Sequence, residues 1–343
     1  MSHHEVSSPF IPVQNQPAQV LEYAQSRDID PRVVLQGTGL NAQDMLDRPR
    51  RVTPAHLLNM LGQTAGALAS PDTSFMLGQQ ALPGHFGPVS QALLQAPTLR
   101  HALETIVAHQ AILSPLLVPH LHVGDQQATF YWTDAFGAPG LRPLLVEMSM
   151  AALTGVCRWL GDTRFDWVYC FNRTRPRHTE QHEVHLGPQL RFNCHLDAML
   201  INTEWLDRPW PRGSTIGHSV SLRAATEASQ ADSAHVAMLS ALYEHLLTHI
   251  RCAPSMEHTA AHFGVSPATF KRQLARHGTH FQAELDQVRT HVAIQLFHER
   301  GFDNEGVASY LGFHDANNFR RSFKRWTGLT PSLLRDALLQ PHC

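Results

Sequence analysis

Two short stretches, 48 residues apart, repeat one pattern and leave the C-terminal third of the chain little choice of structure. In each, a small residue (Ala260, Ala308) stands four positions before a glycine (Gly264, Gly312). A tight turn between two helices needs both. Alanine lets the second helix approach, and glycine takes the left-handed backbone that ends the first. An apolar residue follows each glycine (Val265, Phe313) and a new helix begins. In the first copy Ser266 and Pro267 form a cap-plus-proline start. That helix turns Phe270 and Leu274 inward and leaves Ala268, Lys271, Arg272 and Arg276 on its open face. In the second, Phe319 and Phe323 turn inward, and Ala316, Asn317, Asn318, Arg320, Arg321, Lys324 and Arg325 are left outward.

Charge is concentrated where these faces lie. The chain has 27 basic against 29 acidic side chains, net −2, so it is no uniformly basic nucleic-acid coat. Yet residues 266–276 hold three basic and no acidic side chains, and residues 315–326 hold four basic against Asp315 alone. Only two of the 27 are lysines, Lys271 and Lys324, and both fall on these helices. Arginine in place of lysine elsewhere reads as biased codon usage. The residue types suit base edges: Arg and Lys for guanine or phosphate, Asn for adenine, Ala for the thymine methyl. Two ordinary hairpins with solvated basic faces are the alternative, and that reading leaves the duplication unexplained.

At these residues the sequence resembles the AraC/XylS family of bacterial transcription regulators. The resemblance covers residues 257–335. It is carried by the connecting helix with Phe281, Leu285, Arg289, Ala293 and Leu296, by Leu311-Gly312-Phe313 followed by residues 319–328, and by Thr330-Pro331-Ser332-Leu333-Leu334-Arg335. It implies an all-α domain in which two helix-turn-helix motifs flank one linker helix and read successive major grooves, about 34–36 Å or ~10 bp apart. By position it implies base-reading roles for Ala268, Lys271 and Arg272, and for Asn317, Asn318 and Arg321. Two departures stand out: His314 replaces a frequent helix-capping residue, and Leu334 replaces a frequent tyrosine.

The first 210 residues read as an α+β domain. Asp30, Asn41, Thr53 and Thr98 are helix starts, and Pro115 and Pro119 end or kink the helix that follows Thr98. Residues 121–123 and 128–133 read as a strand, turn and strand with Phe130 and Trp132 on one face. Residues 144–160 return to helix, and 166–171 and 182–192 look extended. The Pro- and Gly-rich residues 208–214 mark a boundary. The expected division is therefore a sensor over 1–210, a linker over 211–229 and the helical module over 230–343. In that module Val236, Leu239, Leu242, Leu246 and Ile250 share a helix face. The first half is similar to longer regulators of the same family, such as ornithine-utilisation regulators. Gly78, Gly87-Pro88-Val89, Pro97-Thr98-Leu99, Ala102-Leu103, Glu147, Phe192 and residues 206–209 carry that likeness. It implies an effector-binding, dimerising domain.

For the effector, Phe130, Trp132, Trp167 and Tyr169 are candidate pocket walls, although such a strip also suits plain core. Arg173, Arg175 and Arg177 are candidates for a carboxylate or phosphate head group, or form a solvated basic loop. An amphipathic carboxylate would use both clusters. The expected partners are double-stranded promoter DNA, a small-molecule effector, RNA polymerase and a second copy of the chain.

Other classes fit less well. The most apolar run, 144–160, carries Glu147 and Arg158, and residues 1–12 lack a secretory pattern. Five widely spaced cysteines without a CxxC suit a reducing cytoplasm. His178, His182 and His185 have ligand-like spacing, but no HExxH occurs and no cysteine lies nearby, so neither metal nor cofactor is expected. No GxSxG, P-loop or Rossmann fingerprint points to an enzyme. The competing readings are a regulator controlled by a partner protein and a DNA-targeted enzyme using Cys157, Cys170 or Cys194.

Overall fold

The computed structural model describes residues 3–46, 50–231, 236–299 and 301–332 of the 343. Helices α1 (Gln16–Gln25), α2 (Pro31–Val34), α3 (Pro54–Leu68), α4 (Thr73–Ala81), α5 (Pro88–Leu94), α6 (Leu99–Ala108) and α7 (Gln110–Leu113) come first. Between them β1 (Ile11–Pro12) pairs with β2 (Arg51–Val52). Their starts lie where the sequence puts them because a side chain fixes each one. Asp30, Thr53 and Thr98 accept hydrogen bonds from the backbone N–H groups of Arg32, His56 and His101. Asn41 does the same for Gln43 at the head of a 3-10 turn, Ala42–Leu46.

A five-stranded sheet follows, built from β3 (Leu117–Val123), β4 (Gln127–Asp134), β5 (Val168–Phe171), β6 (Leu190–Phe192) and β7 (Ala198–Asn202) in the order β3-β4-β7-β5-β6. All neighbours are antiparallel except β5 and β6. Side chains alternate across a strand, so β4 sends Ala128, Phe130 and Trp132 to one face and Tyr131 to the other. The first face packs on α8 (Arg142–Gly161) through Leu145, Met150 and Leu153, in a core shared with α1 to α6. By length and composition α8 could cross a membrane, but it is the central helix of this core and more than half buried.

The second face is covered by the C-terminal module. Its helices are α11 (Met238–His249), α12 (Met256–His262), α13 (Pro267–Arg276), α14 (Phe281–Glu299), α15 (Asn304–Tyr310) and α16 (Ala316–Thr327), preceded by α9 (Glu180–His185) and α10 (Thr215–Ala231). Cys170, Ala198 and Leu200 of the sheet form one continuous core with Leu239, Leu242 and Leu246 of α11 and Leu285, Val288 and Val292 of α14.

Four expectations change. Pro119 ends no helix: it sits in β3, an edge strand, where a missing N–H is tolerated. Residues 182–185 are helical rather than extended. Glu180 and Glu183 favour the first turn of α9, and the buried His182 ring packs edge-on against Phe75 and Phe171. Val236 precedes α11 and is exposed, while Leu239, Leu242, Leu246 and Ile250 are buried as expected. The segment 211–229 is no open connector. Most of it is α10, which packs on α5, with the His218 ring 2.9 Å from the Ala92 carbonyl and Ser214 N–H donating to Gln95 O at 3.0 Å.

Helices α4 and α8 touch backbone to backbone at Gly78. A Cβ there would lie 2.2 Å from the Met148 carbonyl oxygen and 2.8 Å from Ala151 Cβ. Gly78→Ala must therefore push the two helices apart, at a cost of roughly 1–3 kcal/mol or more. Thermal unfolding followed by circular dichroism should show a melting temperature several degrees lower. An unchanged value would mean the helices separate freely.

Candidate functional site

The near-repeat in sequence is a repeat in backbone geometry. Gly264 and Gly312 sit at φ +70° and +76°. Past each, the next residue reaches back five positions: Val265 N–H donates to Ala260 O at 3.0 Å, and Phe313 N–H to Ala308 O at 2.8 Å. Each of the four hairpin helices has a side-chain cap, from Ser255, Ser266, Asp303 and Asp315. His314 therefore costs the last helix nothing, because its cap is the next residue. Asp315 accepts from Asn318 N–H at 2.7 Å, and this bond holds its carboxyl below the usual range.

Helix α14 is the beam between the hairpins. Its 19 residues span about 28 Å. Phe297 packs against Phe319 and Phe323 of α16, with ring centroids 6.1 and 6.3 Å away. Arg289 lays its guanidinium over Phe313 and Trp326, 5.5 and 5.7 Å from their centroids. With Phe270, Leu274, Phe319 and Phe323 buried, Ala268, Lys271, Arg272 and Arg276 of α13 are all exposed. So are Asn317, Asn318, Arg320, Arg321, Lys324 and Arg325 of α16. Among the described residues, Arg276 meets Glu5 at 3.4 Å, and Asn318 donates to Asp315 at 3.1 Å. Leu333, Leu334 and Arg335 lie outside the described residues.

The sensor-side candidates do not converge. Phe130 and Trp132 line a cavity of about 680 Å³, its mouth included, walled by α1, α3 and α8. Its polar lining is Gln16, Ser114 and Ser149. Gln16 donates from Nε2 to Ile112 O at 2.6 Å and leaves a buried Oε1 without a partner. Trp167 and Tyr169 line a different, smaller space, where the Tyr169 hydroxyl is 2.8 Å from Thr154 Oγ1. Arg173 is bonded to Glu147, which also accepts from Ser74 and His182. Burial alone would raise the Glu147 carboxyl; hydrogen bonds from His182, Ser74 and Arg173 hold it below the ordinary range. Arg175 stacks on Phe192 and Arg177 is exposed. The structure thus places the aromatic cavity behind Phe130 and Trp132 apart from Arg173, which is bonded to Glu147.

Residues 29–210 match the family described as the arabinose-binding domain of AraC transcription regulators, and residues 259–337 match a helix-turn-helix domain. The chain belongs to the AraC family of transcription regulators. It is 26% identical to the ornithine utilization regulator of Pseudomonas aeruginosa over 86% of this chain and 87% of that one. It is 24% identical to the transcriptional regulator VirS of Mycobacterium tuberculosis over 82% and 83%. The crystal structure of the transcriptional regulator CdpR from Pseudomonas aeruginosa covers 94% of this chain and 98% of its own at 18% identity, with a TM-score of 0.44.

The contacts joining the two halves of this AraC-family chain were not legible in the sequence. Tyr131 of β4 meets the Tyr243 hydroxyl at 3.2 Å, and Tyr243 meets His291 Nδ1 of α14 at 2.9 Å. Burial holds the His291 imidazole down to about 3 and the neighbouring His120 down to about 4, so both are neutral near pH 7. At the end of α13, the His277 ring lies 2.9 Å from the Phe136 carbonyl. A Cβ on Gly137 would come within 1.8 Å of His277 O. The only available signal was alternation: if Phe130 and Trp132 face the sensor core, Tyr131 must face away.

Arg272→Ala and Arg321→Ala should each weaken a specific duplex by about 1–3 kcal/mol and relax preference at one base position. Lys324→Ala should instead lower the slope of log K against log salt by about one. Fluorescence anisotropy on a duplex selected from a random pool reads both, and unchanged values would remove these residues from the interface. Protonation supplies a separate check. A histidine with a lowered folded-state pKa binds its proton better when unfolded, so stability falls as pH drops from about 6.5 towards about 3. His291→Gln should flatten that fall relative to the wild type in melting curves across the window.

Proposed function

We propose that this AraC-family regulator binds promoter DNA as a homodimer in the cytoplasm, and that a small neutral effector behind Phe130 and Trp132 sets its grip. RNA polymerase is the downstream partner this reading implies. The observation that carries it is strand β4. Alternate side chains of one strand line an apolar cavity on one face (Phe130, Trp132) and bond into the DNA-reading module on the other (Tyr131). A ligand that shifts β4 necessarily disturbs both faces, since packed interiors transmit displacement rather than absorb it.

The lining sets the effector's class. Among the described residues no Asp, Glu, Lys, Arg or His faces the cavity, so a carboxylate would be buried there without a counter-charge. A sugar, with a hydroxyl on nearly every carbon, would leave most of them unpaired against Leu57, Leu61, Leu145 and Leu153. The cavity suits a mainly apolar molecule with one donor for Gln16 Oε1.

Mass spectrometry of small molecules released from denatured protein should identify such a compound. Adding it back should change affinity for the selected duplex at least tenfold. Ala152→Phe, which fills the cavity from α8, should abolish the response while leaving unliganded DNA binding intact. A response that survives Ala152→Phe would place the effector elsewhere.

A further inference from the structure

A second cavity lies on the other face of the sheet, between it and helices α11 and α14. Its space is about 620 Å³ with the open mouth counted, and among the described residues it is lined by His122 and His291 but by no Asp, Glu, Lys or Arg. Leu196, Ala198 and Leu200 of the sheet side face Leu247 of α11 and Val292 and Ile294 of α14 across it. Two cysteines open onto this space: Cys170 of β5, and Cys194 in the turn after β6. Both are free and buried. They lie 24 residues apart in sequence, and the sheet brings both to the wall of one cavity. The backbone around Cys194 is unusual as well. Both its neighbours, Asn193 (φ 59°) and His195 (φ 55°), are left-handed non-glycine residues. Strain of this kind persists only where the surroundings over-determine it, and it recurs at reactive centres. Here Cys194 N–H is fixed to Phe171 O at 3.1 Å and Asn193 N–H to Arg173 O at 2.8 Å, which holds the turn against β5.

We propose that Cys194, with Cys170 beside it on the same wall, is a covalent acceptor for small neutral electrophiles of the enone or quinone class admitted by this cavity. The Cys194 sulfur adds to the β-carbon of the electrophile. A C–S bond forms, the C=C π bond breaks, and its electrons pass to the carbonyl oxygen as an enolate. The proton lost by the Cys194 thiol ends on the α-carbon, so no oxidant and no leaving group is needed. The two thiols are not equivalent. The neighbouring Cys170 thiol favours the thiolate at Cys194 against the opposing effect of burial, with Phe171 and the Arg191 charge helping and the Asp197 charge opposing, while Cys170 is pushed the other way and keeps its proton. Walls without Asp, Glu, Lys or Arg among the described residues favour neutral reagents over ions. Because those walls belong to both the sheet and α14, an adduct acts as a wedge between sensor and reading module. The site is separate from the cavity behind Phe130 and Trp132, and either one can fail alone.

The test treats the full chain with N-ethylmaleimide, which is neutral, or with 3-maleimidopropionate, which carries a carboxylate on the same electrophile. Peptide mass spectrometry then maps the adducts. Exposed Cys252 reports simple accessibility and should react with both. Cys194 should take up only the neutral reagent, and that adduct should weaken binding to the selected duplex about tenfold. Cys170→Ala should slow addition at Cys194 about tenfold, and Ile294→Trp, which fills the cavity from α14, should block it. If the tryptophan variant does not fold, the alanine variant still decides. Adducts confined to Cys252, equal labelling of Cys194 by both reagents, or a Cys194 adduct that leaves DNA affinity unchanged would overturn the proposal.

Discussion

The structure depends on covering both faces of one sheet. A five-stranded sheet with apolar side chains on both sides cannot leave either face in water without exposing several hundred square ångströms of apolar surface. The chain meets this constraint with unequal partners. Helix α8 and the helices before the sheet cover one face, and helices α11 and α14 of the DNA-reading module cover the other. The two halves are thus layers of one stack, joined through β4 and through the half-buried Tyr131 and the buried Tyr243 and His291.

The DNA-reading module was legible because its determinants are local. Glycine four residues after alanine, an N-capping side chain and apolar residues at helical spacing are all set within a few residues of each other. Each appears where Gly264, Gly312, Ser266 and Phe323 lead one to expect it. Local reasoning went one residue astray at His314, because Asp315 supplies the cap. The sensor half was legible in class and in helix starts, and less so in its site. Phe130, Trp132, Trp167 and Tyr169 are all buried aromatics, but which ones share a cavity depends on strand order, and a sequence does not print strand order. Arg173 read as a free cation because its partner, Glu147, lies 26 residues away on a different element.

Electrostatics divides the molecule in the same way. Near-neutral overall charge conceals two basic helix faces whose side chains are exposed to water. Inside, the design is the reverse. Among the described residues no Asp, Glu, Lys or Arg lines either cavity, and His291 between the layers is kept neutral by burial. Largely buried ion pairs stand out against this: Arg142 with Asp197, and Glu147 with Arg173 and His182, which ties α8 to the turn after β5.

The shared core also bears on modularity. Regulators of this architecture invite division into a sensor and a reader, each handled as an independent piece. In this chain such a cut would strip the sheet of one cover and leave Tyr131, Cys170, Ala198 and Leu200 as a flat, sticky plane. The excised reader would lose the surface against which Leu242, Tyr243 and Val292 are packed. Exchanging readers between relatives is therefore a problem of matching two surfaces, and the place to match them is the sheet rather than the peptide that joins the halves.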